Sequence, residues 1–238
     1  MSTSAATAPS TRHASLDSLR LRLFGQLVPA TFFALLGYMQ LMRVIADARA
    51  LPHPVTVGAL LGAPVPASLY LLFCAIPVFI YVGRPAPRAR DGRLLPRAAG
   101  LVGTTMLLVV GALPQNDRLY TPPSWAFGLS TATSIVAFGL AVYGLLYLRR
   151  SLSLIPEARR LVTGGPYRVV RHPLYGAEIL ASVAFAAVNP AVLAVIMLVP
   201  FVLVQLTRAR FEERLLSGIY PQYAVYAAHT KRLIPFIW

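Results

Sequence analysis

The chain has 238 residues, 57% of them hydrophobic and only 13% charged, with a mean hydropathy of +0.64. Soluble domains carry about 25% charged residues, so the long apolar runs read as membrane spans and exclude a single water-soluble core. The net charge of +14 does not indicate nucleic acid, because the basic residues cluster in loops between apolar runs and form no aromatic-interleaved patch.

In chain order, residues 1–15 ("MSTSAATAPSTRHAS") are small and polar and read as a disordered tail. They do not read as a signal peptide, since no apolar core with a cleavage site follows a basic start. Residues 16–148 read as the N-terminal membrane helices, with apolar runs at 23–46, 57–83, 98–114 and 124–148. Residues 149–238 form a C-terminal half with runs at 174–188 and 190–207, separated by Asn189-Pro190 and so read as a helical hairpin. Prolines 64, 66, 77 and 200 fall inside runs, where packing against neighbours can satisfy the freed carbonyls. Cys74 sits in an apolar run and reads as a small buried hydrophobe. The expected fold is all-α, a multi-pass bundle of five to six membrane helices.

Arginine and lysine set the expected orientation. With the N-terminus inside, 19 basic residues fall on the inner side, and Arg43, Arg49 and Arg118 alone fall outside. Both termini and the 149–173 segment are then cytoplasmic. The arginine- and alanine-rich composition suggests a GC-rich genome and a bacterial inner membrane.

Two polar clusters break the apolar pattern. The first lies in "LVTGGPYRVVRHPLYGAEIL", residues 161–180. Thr163-Gly164-Gly165-Pro166 is a turn signal. Pro173 suits the first turn of a helix and pushes His172 toward an extended conformation. The helix start then offers free N–H groups to an anion. The alternative is a helix entry with interfacial Tyr and Arg anchors. The second cluster is "RARFEERLL", residues 208–216, where Arg208 and Glu212 share a helix face and Glu213 lies one residue round. It reads either as a solvated Arg208–Glu212 ion pair or as part of a site, and the hairpin returns it toward His172. Glu178 is an intramembrane carboxylate, functional in one reading and paired with Arg171 or Arg168 in the other. His13, His53 and His229 are isolated from one another and from cysteine, so no metal site is expected. No Ser-His-Asp set and no phosphate-cradling glycine loop is found.

The stretches "SLSLIPEARRLVTGGPYRVVRHPLYGAEIL" and "RARFEERLLSGIYPQYAVYAAHTKRLIP" resemble the isoprenylcysteine carboxyl methyltransferase family. The related phospholipid N-methyltransferases share the motif G-P-Y-x-x-x-R-H-P-x-Y, then R-x-x-x-E-E, then Y-x-x-Y. The resemblance covers about 149–238. It implies S-adenosyl-L-methionine bound at the cytoplasmic membrane face, beside a tunnel open to lipid. Arg159, Arg160, Leu161 and Val162 match the family's cofactor-binding stretches, as do Tyr167 and His172, Pro173, Leu174 and Tyr175. Glu212 matches its cofactor-binding glutamate, with Glu213 beside it, and Arg208 its arginine that meets the substrate carboxylate. Arg208 and Glu212 are the residues expected to carry catalysis.

The chemistry is consistent with that resemblance. A glutamate suits the ammonium of S-adenosyl-L-methionine, and a helix N-terminus with His172 suits its carboxylate. Methyl transfer to an ionised carboxylate needs in-line positioning and removal of water, but no metal and no base. The expected partners are a lipophilic small molecule or lipidated cysteine, its tail in the bilayer, and membrane lipid; no nucleic acid and no metal are expected. Phospholipid N-methylation is the alternative and would need a base or a deprotonated amine. An NADPH-dependent sterol-type reductase would need a basic site for the extra phosphate, and the Glu212-Glu213 pair favours the methyl donor. A transporter or membrane scaffold would need polar residues at midplane in several spans, which the sequence lacks.

Overall fold

The computed structural model describes residues 23–61, 64–83, 85, 87–112 and 117–235. The tail 1–15 with His13, and the basic residues Arg12, Arg20, Arg22 and Arg84, lie outside the described residues. The chain is a helical bundle. After a π-helical turn, Leu23–Leu27, come α1 (Val28–Arg49), a short α2 (Val57–Leu61) and α3 (Pro64–Val82). Then follow α4 (Leu94–Ala112), α5 (Ser124–Leu148), α6 (Pro173–Val188), α7 (Val192–Ile219) and α8 (Tyr223–His229). By length and composition four helices among the described residues can cross a membrane: Leu23–Arg49, Pro64–Val82, Ser124–Leu148 and Val192–Ile219. Helix α6 is apolar but has only 16 residues. The run expected at 57–83 is split into α2 and α3. The run expected to end at 207 continues to Ile219, so the second polar cluster rides on the same helix as the last span.

Successive long helices run antiparallel. Phe33 of α1 stacks on Tyr81 of α3 with centroids 5.9 Å apart, and Gln40 Nε2 donates to the Ala67 carbonyl at 3.2 Å. Tyr70 of α3 stacks on Phe138 of α5 at 5.2 Å. Ser130 near the start of α5 donates to the Ala184 carbonyl near the end of α6 at 2.7 Å. Ala137, Ala141, Ala177 and Ala184 are buried, and such small side chains let α5 and α6 approach closely, as membrane helices do where burial against lipid adds nothing. Large apolar side chains such as Phe79 (79% exposed) and Val136 (62%) face outward, which suits lipid and would be an aggregation liability in water.

One end of the bundle therefore gathers the end of α3, the start of α4, the end of α5, the start of α6 and the end of α7. A two-residue ribbon closes it. β1 (Ala89–Arg90) pairs antiparallel with β2 (Glu157–Ala158), in the register Ala89↔Ala158 and Arg90↔Glu157. Arg118 lies at the opposite end, bridged to Ala191 beside the Asn189-Pro190 turn.

Candidate active site

Pro173 sits at the first turn of α6, and His172 ahead of it takes φ −126° and ψ 60°, outside the helix. The C-terminal stretch then pins this entry. Arg171 N–H donates to the Lys231 carbonyl at 2.8 Å and His172 N–H to the Arg232 carbonyl at 3.0 Å. The turn before it depends on Gly165, whose φ of +59° lies in the left-handed region; a Cβ there would also meet the Tyr147 ring at 2.7 Å.

The adjacent carboxylates have different surroundings. Glu213 accepts from Arg171 Nε at 2.8 Å and from Arg232 Nη2 at 2.6 Å, and its Oε1 lies 3.2 Å from His172 Nε2. Its side chain is mostly buried and does not line the main cavity. Glu212 is about one-third exposed, lines the cavity, and accepts from the Tyr175 hydroxyl at 3.0 Å. His172 Nδ1 lies 3.6 Å from Glu212 Oε2, and the His172 and Tyr175 rings stack at 5.4 Å.

Arg208 sits one turn back along α7, buried, with its guanidinium carbon 4.7 Å above the Tyr175 ring centre. It makes no ion pair with Glu212. Its Nη1 donates to Gln205 Oε1 at 2.8 Å and lies 3.8 Å from Glu178 Oε2. Gln205 Nε2 donates to the same Glu178 oxygen. Glu178 thus faces Gln205 and Arg208, and neither Arg171 nor Arg168. Among the described residues, Arg208 Nε and Nη2 carry no hydrogen bond. Space for Arg208 comes from Gly103 of α4, where a Cβ would meet Arg208 Cδ at 2.6 Å.

These groups open on a cavity of about 1160 Å³ between the helices. Besides Arg208 and Glu212 it is lined by Arg160, Leu161, Val162 and Tyr167, and by His172, Leu174 and Tyr175. Three of the sequence-derived residues lie off it: Glu213, Arg159 and Pro173. Arg159 is buried and donates to Glu157 Oε2 at 2.8 Å, with Nε and Nη1 unpartnered; Pro173 is buried in the helix start. Burial pushes the Tyr167 and Tyr223 phenols well up and Tyr226 to about 12, so all three stay neutral hydrogen-bond donors at neutral pH. The Tyr226 hydroxyl donates to the Tyr167 carbonyl at 2.7 Å.

Sequence reasoning missed Gln205, Tyr226, Arg232 and Gly103. Gln205 had a signal, as an amide in an apolar run three residues before Arg208. Arg232 had none, because its pairing with Glu213 depends on where the C-terminal stretch lands.

Residues 126–223, which include most of α5 and all of α6 and α7, match the model of the phospholipid methyltransferase family. Over 150 residues the chain is 32% identical to the cobalt-zinc-cadmium resistance protein CzcN of Cupriavidus metallidurans, covering 62% of this chain and 68% of that protein. It is 27% identical over 151 residues to the nickel-cobalt-cadmium resistance protein NccN of Alcaligenes xylosoxydans xylosoxydans, covering 63% and 70% respectively. On that identity and coverage the chain belongs to the protein family of CzcN.

Proposed function

We propose that the protein is an integral-membrane, S-adenosyl-L-methionine-dependent methyltransferase that methylates the head of a lipophilic acceptor, as a carboxyl O-methyltransferase of an isoprenylcysteine-like molecule. The observation that carries the acceptor reading is the unused Nε–Nη2 edge of Arg208 in a wall of the cavity, one helical turn from Glu212. That edge can hold a carboxylate with two parallel hydrogen bonds. The family match supports the coarser reading, a membrane methyltransferase.

The cavity wall fits the cofactor's charges. Glu212, partly exposed and held by Tyr175, would receive the ammonium. His172 and the free N–H groups at the start of α6 would receive the carboxylate. Tyr167, Leu161 and Val162 supply apolar wall. Glu213 and Arg159 act behind it, as positioning residues. When bound, S-adenosyl-L-methionine supplies an electrophilic methyl group on a sulfonium. Arg208 would aim an acceptor that is already ionised, so its oxygen needs no base, and the enclosing helices exclude water. In this reading five to six helices are membrane-embedded and the site end is cytoplasmic, since that end carries most of the basic residues. The relatives' names refer to metal resistance. Among the described residues no group of three His, Cys, Asp or Glu side chains could hold a metal ion.

The second reading, lipid N-methylation, is favoured by the family match itself. Transfer of labelled methyl to a farnesylated cysteine analogue and to phosphatidylethanolamine, alongside calorimetric binding of S-adenosyl-L-methionine, separates the two. His172→Ala and Glu212→Gln each should weaken cofactor binding by about 1.5–3 kcal/mol, roughly 10- to 150-fold. Arg208→Ala should abolish turnover and spare cofactor binding, with poor rescue by Arg208→Lys. Wild-type cofactor affinity in both binding variants would overturn the site, and transfer to the amine alone would overturn the carboxylate reading.

A further inference from the structure

A carboxylate acceptor explains Arg208 and leaves Glu178 unexplained. Glu178 Oε2 accepts from Gln205 Nε2 and lies 3.8 Å from Arg208 Nη1, while among the described residues Glu178 Oε1 has no hydrogen bond or ion pair. Arg208 likewise uses only Nη1. Both side chains line the cavity. Gln205, fully buried, stands between them, its N–H on Glu178 and its carbonyl on Arg208. Turning the amide would lose both bonds, so Gln205 fixes the two charges side by side and keeps them from closing into a two-bonded pair. A carboxylate in an apolar helix is costly and persists where it has work to do. Beside an anion-binding arginine it would repel a purely anionic head. A head bearing both charges satisfies both unused edges.

We infer that the acceptor's head is a zwitterion, its anion on the Nε–Nη2 edge of Arg208 and its primary ammonium on Oε1 of Glu178. This rests on the proposed function for the location of the acceptor and adds its charge pattern. A lipophilic amino acid with a free α-amine carries this head, and so does an aminophospholipid.

The test measures equilibrium binding to the detergent-solubilised protein without cofactor, so that it stands apart from turnover. The probes are S-farnesylcysteine with its N-acetyl analogue, and phosphatidylethanolamine with its N-acetyl analogue. The free-amine form of at least one pair should bind about 10- to 100-fold tighter, as expected for a charge-assisted contact. Glu178→Gln should erase that ratio, and Glu178→Asp, which keeps the charge, should retain part of it. The pair that shows the ratio identifies the source of the head. Equal affinity of amine and N-acetyl forms in the wild type overturns the inference. So does a Glu178→Gln variant that weakens both forms equally, which is what a purely structural ion pair predicts. Labelled methyl transfer run in parallel keeps the two claims apart. Discrimination without methylation would overturn the methyltransferase reading and leave the zwitterion site standing.

Discussion

Glu212 and Glu213 are adjacent and chemically identical, yet the helix turns them about 100° apart into different surroundings. Glu213 meets Arg171, Arg232 and His172, and so joins α7 to the entry of α6 and to the C-terminal stretch. Glu212 meets Tyr175 and the cavity. Glu213→Gln should therefore destabilise the protein, because it leaves two mostly buried guanidiniums without their counter-charge, at a cost of about 3–5 kcal/mol. Glu212→Gln should leave stability within about 0.5 kcal/mol, as at a partly exposed position with one hydrogen bond. Thermal unfolding in detergent checks both, and equal losses would remove the division of labour. The sequence showed that the two carboxylates were unusual in so apolar a chain. It could not show which faced the cavity, because that depends on the rotation of α7 against α6. The free edges of Arg208 and Glu178 were illegible for the same reason: they follow from Gln205 of α7 meeting Glu178 of α6, 27 residues earlier in the sequence.

At the scale of elements, α7 brings Gln205, Arg208 and Glu212 onto one face by their spacings of three and four. Hydropathy ends the sixth run at 207, but backbone propensity does not. Arg, Glu and Leu are strong helix formers, and the helix runs on to Ile219. This is why a boundary read from apolarity fell twelve residues short, while the 124–148 span was read to the residue. Helix α4 carries no proposed catalytic group, yet it shapes the site at Gly103. A Cβ there would lie 2.6 Å from Arg208 Cδ and 2.9 Å from its Nη1. Gly103→Ala should push the guanidinium off Gln205 and mis-aim the acceptor. A displacement of this kind costs on the order of 100-fold in turnover while cofactor binding holds, since a Cβ at Gly103 would meet Arg208 and Val204 and not Glu212. Steady-state kinetics together with calorimetry test this, and unchanged kcat/KM would show that Arg208 yields freely.

For the whole molecule, the question is where the acceptor's tail lies. The resemblance led to an expectation of a tail in the bilayer. The cavity, however, continues from the polar cluster between α1, α3, α5 and α6, and its lining on α5 runs from Phe127 to Leu148. Those 21 residue steps span about 30 Å, the full thickness of the hydrocarbon core. Ala181, one turn beyond Glu178 on α6, also lines this cavity. Ala181→Phe would block it without replacing any charged group. If the tail is enclosed, long-tailed acceptors should suffer and short ones should not. Excluding four methylenes removes about 3 kcal/mol of burial, roughly 100-fold in binding. Because the added ring enters open space and not a packed core, the overpacking cost of about 1–3 kcal/mol should not appear, and thermal stability should hold. The measurement is the ratio of affinities for farnesyl and short-alkyl cysteine analogues in the wild type and in Ala181→Phe. A ratio that does not move would put the tail outside the bundle, against lipid. A ratio that collapses would make the protein's own interior, and not the bilayer, the solvent for the acceptor's chain.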